Sequence, residues 1–150
     1  MERDHPLVRA ALREVADLHA FFEAWLGGTV ADTDAVFSRV ERVLGETFTM
    51  VSPGGARLRR PDVIGWLRGA HGSRDGQGPF RIAAVEPELL LLRPPLVIVG
   101  YVEEQAAGGE VTRRRSTAVF EARVAGEGPV EGEEGVRWLA LHETWIGPGS

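Results

Sequence analysis

His142, Glu143 and Glu103 are the side chains of this 150-residue sequence whose types and setting suit proton transfer. Each lies in a stretch rich in branched and aromatic residues that reads as β-strand. An imidazole exchanges a proton near neutral pH, and a carboxyl held beside a second carboxyl in an apolar setting is pushed toward the same range. Strand alternation puts His142 on one face with Trp138, Ala140 and Thr144, and Glu143 on the other with Leu139, Leu141 and Trp145. Only one of the two therefore faces a given interior site. The alternative for His142 is a packed histidine bonded to a neighbouring strand or to water. For Glu143 it is a cross-strand pair with Arg113 or Arg115.

Arg113-Arg114-Arg115 could hold an anion by two-pronged guanidinium bonds, but alternation divides the three between opposite faces. A solvated or cross-strand paired arrangement is the competing reading. Trp25, Trp66, Trp138 and Trp145 could stack on a flat ligand or fill a core. Ser73 lacks the spacing of a nucleophile elbow and has no strand before it.

Much chemistry is excluded outright. All 17 basic residues are arginine, and Lys, Cys and Asn do not occur, so there is no lysine Schiff base, thiolate, zinc thiolate site or disulfide. The four histidines show no metal spacing, and no P-loop or dinucleotide fingerprint is present, so neither metal nor cofactor is expected. A formal charge of −5 argues against nucleic acid. No apolar run reaches the roughly 18 residues of a membrane helix. Without a basic segment leading into an apolar one near Met1, the expected location is cytoplasmic.

The elements that would position these residues are legible as patterns. Val8, Ala11, Leu12, Val15, Leu18, Phe22 and Trp25 share one face of a helix from Pro6 to Leu26, stopped by Gly27-Gly28. A second helix opens at Asp32 or Thr33 and is expected to end at Gly45. A small hairpin, Glu46 to Val51 and Ala56 to Leu58, precedes a third helix begun by Pro61 and Asp62. After the Gly-rich stretch from Gly72 to Gly78 come four long strands, Phe80 to Leu92, Leu96 to Ala106, Val111 to Ala125 and Val136 to Ile146. The connection from Gly126 to Gly135 reads as an exposed hairpin loop.

Helices followed by strands imply one α+β domain over residues 1–150, with three N-terminal helices on a mixed, mostly antiparallel sheet of about six strands. Both faces of the last strands carry large apolar side chains. The helices cover one face, and a second copy in a homodimer is expected on the other. Scattered surface apolar residues are the alternative.

Three segments carry a resemblance. They are Phe48-Thr49-Met50-Val51-Ser52-Pro53-Gly54-Gly55 after a long amphipathic helix, the helix opened by Arg60-Pro61-Asp62, and the pair Arg115 to Phe120 and Gly135 to Trp145. In that order they resemble the nuclear transport factor 2-like superfamily, particularly its bacterial SnoaL-like members and the association domain of calcium/calmodulin-dependent kinase.

The resemblance spans about Leu7 to Ile146 and implies a cystatin-like cone around a conical pocket. It implies a pocket face bearing Trp138, His142, Arg114, Ser116 and Ala118, with Phe22, Trp25 and Trp66 as walls. His142 would be acid or base, and Arg114 or Ser116 would polarise a carbonyl. The chemistry implied is cofactor-independent isomerisation, cyclisation or dehydration of a small organic ligand. The Asp and Tyr set of ketosteroid isomerases has no counterpart in pattern, since Tyr101 is the one tyrosine and every Asp falls in a helix or loop. The alternative function is a non-enzymatic dimeric binding or assembly module whose pocket is filled by its own side chains.

Overall fold

The computed structural model describes residues 2–123 and 135–147. Three α-helices precede most of the sheet: α1 (Pro6–Gly27), α2 (Asp34–Val43) and α3 (Arg60–Gly69). Six strands follow the order expected, β1 (Leu44–Val51), β2 (Arg57–Arg59), β3 (Arg81–Arg93), β4 (Leu96–Ala107), β5 (Glu110–Ala122) and β6 (Val136–Ile146). They form one sheet in the spatial order β2-β1-β6-β5-β4-β3. β1 runs parallel to β6, and every other pairing is antiparallel. The expected loop from Gly126 to Gly135 lies, except for Gly135, outside the described residues.

Local signals set the helix ends. The His5 side chain accepts from Leu7 N at 3.1 Å before Pro6 opens α1, and Gly28 closes it at φ 75°, a conformation open to glycine. Thr33 caps α2 by accepting from Val36 N at 3.2 Å. Asp62 accepts from Arg59 N at 2.9 Å at the start of α3. Gly45 does not end α2, as its sequence context suggests. The chain passes from Val43 directly into β1, and a Cβ on Gly45 would stand 3.1 Å from the Trp138 carbonyl oxygen. Its missing side chain lets β1 lie close to β6.

The helices cover one face of the sheet. Val8, Val15 and Leu18 of α1 and Phe37 and Val40 of α2 pack with Val97, Val99, Phe120 and Trp138, all nearly free of solvent. A charged lock holds this layer together. Arg39 on α2 bonds both carboxylate oxygens of Glu14 on α1, at 3.0 and 2.6 Å, and the Trp138 indole N–H donates to Glu14 Oε2 at 2.9 Å. Burial pushes the Glu14 carboxyl upward, while the arginine and the indole hold part of that shift back.

The sheet contains the feature that alternation does not foresee. Val119 lies opposite Ala140 and Phe120 opposite Trp138, so β6 carries one extra residue, Leu139, between two consecutive partners. The side-chain phase reverses across this bulge. Trp138 faces the helices, but beyond the bulge it is Leu141 and Glu143 that face them, not Ala140 and His142. His142 is exposed, opposite Thr117 on the outer face, which corrects its assignment to the pocket face. That outer face bears a row of apolar residues, Leu91, Ile98, Val119 and Ala140, each opposite the next. Among the described residues no helix is long and apolar enough to cross a membrane.

Removing one partner of the Glu14 lock should leave a buried carboxylate held by an indole alone. Arg39→Ala is expected to lose about 3 kcal/mol in urea unfolding at neutral pH. A loss below about 1 kcal/mol would mean that the lock adds little beyond a surface pair.

Candidate small-molecule site

Between the helices and the inner sheet face lies a cavity of about 390 Å³. Phe22 and Leu26 of α1, Val63 and Leu67 of α3, and Phe48, Leu141 and Trp138 of the sheet give it an apolar lining. Trp66 and Asp62, both exposed, mark where it meets solvent. The size is within the usual range of ligand sites, and the space is not filled by the protein's own side chains.

One end of the cavity is polar, built from His19, Tyr101, Glu103, Gln105, Arg114 and Glu143. Their placement follows from register. Tyr101 stands opposite Ser116, Glu103 opposite Arg114, and Ser116 opposite Glu143, so adjacent strands present these side chains side by side. His19 reaches them from α1, one turn after Val15.

The bonds within the cluster leave few atoms idle. His19 Nδ1 lies 2.7 Å from the Val15 carbonyl oxygen, and Nε2 lies 2.8 Å from Glu103 Oε1. Both ring nitrogens face oxygen atoms, which holds the ring between α1 and β4. Gln105 donates to Glu103 Oε2 at 2.7 Å. Arg114 Nη1 donates to Glu143 Oε1 at 3.2 Å, and its Nε lies 3.2 Å from Glu103 Oε2 without hydrogen-bond alignment. The Arg114 guanidinium also sits 4.8 Å from the centre of the Trp145 ring, a cation–π contact. The Ser116 hydroxyl lies 3.4 Å from Glu143 Oε2, a long bond. The Tyr101 hydroxyl, deeply buried and edge-on to His19, has no hydrogen-bond partner among the described residues.

These surroundings separate the two carboxyls. Burial first, and then the nearby Glu103 charge, raise Glu143 to about 6, with Arg114 opposing. Burial also acts on Glu103, but the bond and charge of His19, together with Arg114 and Gln105, outweigh it and hold this carboxyl low. Burial and the two carboxylates push the Tyr101 phenol well above its ordinary value, while the nearby Ser116 hydroxyl and the Arg114 charge oppose this. Glu103 is thus a fixed negative charge, while Glu143 changes charge near neutral pH. Among the described residues no group of three or more His, Cys, Asp or Glu is arranged to hold a metal.

Of the residues singled out in the sequence, Arg114, Trp138, Phe22 and Trp66 line the cavity, and Ser116 sits buried behind Glu143. Trp25 does not line it, because its indole is turned into the core and donates to the Leu67 carbonyl at 2.7 Å. Ala118 is buried in the same core. His142 is replaced at the site by Glu143, the residue that the opposite face assignment brings inward with Glu103. His19, Gln105 and Tyr101 were not anticipated. His19 had a signal: it falls four residues after Val15 and three before Phe22, inside the apolar stripe of α1.

Comparison with known proteins places this geometry in a wider group. No family model matches the chain. Sucrose-phosphatase 1 of Nicotiana tabacum is 28% identical over 138 residues, which is 89% of this chain but 30% of that protein. A crystal structure of an NTF-2-like protein of unknown function from Pseudomonas aeruginosa is 25% identical with a TM-score of 0.76, covering 92% of this chain and 99% of that one. The CaMKII hub of S. rosetta is 15% identical with a TM-score of 0.60, covering 92% and 95%. The fold is that of the nuclear transport factor 2-like superfamily, an α+β cone of cystatin-like type.

The Glu143 carboxyl should be visible in stability. Its pKa rises from 4.5 in the unfolded chain to about 6 in the fold, so its favourable contribution is complete below pH 4.5 and is lost as pH rises through about 6. That displacement corresponds to about 2 kcal/mol. Glu143→Gln should remove this dependence, so wild type minus variant stability should fall by about 2 kcal/mol between pH 4 and 7.5. A flat difference across that range would show that Glu143 is solvated or paired throughout.

Proposed function

We propose that the chain is a SnoaL-like small-molecule-binding protein that transfers a proton at the polar end of its cavity. The carrying observation is Glu143, a buried carboxyl that titrates near neutral pH at the wall of an otherwise apolar, open cavity. Such a group is matched to general base catalysis, because its ionised form is available at pH 7 and still basic enough to accept a proton from carbon. Tyr101 is placed to donate to an oxygen on which negative charge develops. The chemistry is proton abstraction beside a carbonyl, as an isomerase, cyclase or dehydratase requires, with His19 and Arg114 holding Glu103 charged. The opening of the cavity supports this reading over an assembly module with a self-filled pocket.

Self-association accompanies this function. The outer row through Leu91, Ile98, Val119 and Ala140 is flanked by Leu90 and Leu96, and these two and Leu91 are 48%, 40% and 43% exposed. A second copy of the same face would bury it in a two-fold homodimer. The hub neighbour has the same fold and a name that denotes assembly.

Two measurements test these readings. Exchange of α-hydrogens for deuterium in D₂O, followed by NMR over a panel of simple ketones and aldehydes, should be accelerated, with the rate rising through about pH 6 as Glu143 ionises. Glu143→Gln should lower that rate by about 100-fold or more. No acceleration for any compound that binds would leave a binding protein without catalysis. Sedimentation at micromolar concentration should give a dimer that Ile98→Arg converts to monomer. A wild-type monomer would exclude the pairing.

A further inference from the structure

Two buried donors at the polar end of the cavity, the Tyr101 hydroxyl and Arg114 Nε, make no hydrogen bond, and the one arginine there already faces two carboxylates; together these define a ligand class. Arg114 Nε has the Glu103 carboxylate 3.2 Å away, which leaves the Tyr101 hydroxyl as the donor that faces no charge partner. The residue is 2% exposed and lines the cavity, and although the Ser116 hydroxyl stands near it, its own hydroxyl makes no aligned hydrogen bond among the described residues. Buried hydroxyls are rarely left this way, because a donor removed from water and given no partner is costly. A ligand oxygen entering the cavity would accept from it.

The arginine and the histidine of the lining already face carboxylates. Arg114 is bonded to Glu143, lies against Glu103 and stacks on Trp145. His19 spends one ring nitrogen on Val15 and the other on Glu103. Facing them around the same cavity are three carboxyls, Asp62, Glu103 and Glu143. An anionic ligand would approach two buried carboxyls whose charge a single guanidinium already offsets only in part, and like charges in a poorly hydrated site repel strongly.

We infer that the cavity selects an uncharged carbonyl compound, whose oxygen accepts from Tyr101 and whose apolar body lies against Phe22, Phe48 and Trp138, and that it rejects carboxylates and phosphate esters. This rests on the small-molecule reading above and narrows it. The site's selectivity comes from a hydrogen bond that only an oxygen-bearing ligand can make, a kind of discrimination that shape in an apolar pocket cannot match.

The test uses three probes with one ring system, 2-acetylnaphthalene, 2-ethylnaphthalene and 2-naphthoate, titrated calorimetrically into the full chain at pH 8. The ketone should bind at least about tenfold more tightly than the hydrocarbon and than the carboxylate. Tyr101→Phe should abolish the ketone's advantage over the hydrocarbon while the hydrocarbon still binds, which also shows that the variant is folded. Naphthoate binding as tightly as the ketone would overturn the charge selection. A ketone advantage that survives in Tyr101→Phe would overturn the role of the phenol. Equal binding of ketone and hydrocarbon to wild type would sink the inference but leave the pocket in place, whereas failure of all three to bind would remove the pocket reading as well.

Discussion

The unpaired residue in β6 governs the rest of the structure. In a regular strand, residues 138 and 143 point to opposite faces, so the chain could bury its large indole or present its carboxyl to the interior, but not both. The bulge at Leu139 lifts that conflict by advancing the phase one residue. Trp138 can then meet Phe120 and donate to Glu14, while Glu143, five residues later, enters the cavity beside Ser116 and Arg114. Gly45 belongs to the same solution. The parallel neighbour β1 approaches the Trp138 carbonyl at the bulge, and glycine is the residue that fits there.

Two buried acidic sites use different physics. At Glu14, one carboxyl meets one guanidinium in two short bonds and an indole N–H, which satisfies it locally and ties α1, α2 and β6. At the cavity end, two carboxyls share one guanidinium, and the imidazole goes to only one of them. The first arrangement is closed. Burial raises both Glu14 and Glu143, but at Glu143 the neighbouring Glu103 charge adds to it and one shared guanidinium opposes it, which brings that carboxyl to about 6. The stability given up at one end of the sheet is a property of the same charge count that gives the cavity its chemistry.

Most of the architecture could be read from residue patterns. The spacing from Val8 to Leu26 marks α1, the order of helices before strands gives the class, and the four long strands lie within a few residues of their expected limits. The site was harder, for two physical reasons. Trp138-Leu139-Ala140-Leu141 is apolar at every position, so a bulge there leaves no break in alternation and the inward face of the strand is silent in sequence. The cluster is also assembled by register: Tyr101 with Ser116 and Glu103 with Arg114 meet because β4 and β5 pair with those residues opposed, and no local pattern encodes that number. Glu103 and Glu143 were recognisable as a pair under one face assignment, whereas His19 was hidden among the apolar residues of its helix.

The parallel contact of β1 with β6 has a kinetic consequence. Leu44 is matched with Trp138 and Val51 with His142, partners separated by most of the chain. Contacts between such distant segments form slowly, because a long loop must close before they stabilise anything. The helices and the β3–β4–β5 meander can organise from nearer neighbours, but the wall carrying Trp138 and Glu143 is absent until the last strand inserts between β1 and β5. A folding intermediate lacking that strand would expose the open cone and two unpaired strand edges at once, making the moment before insertion the one most open to aggregation.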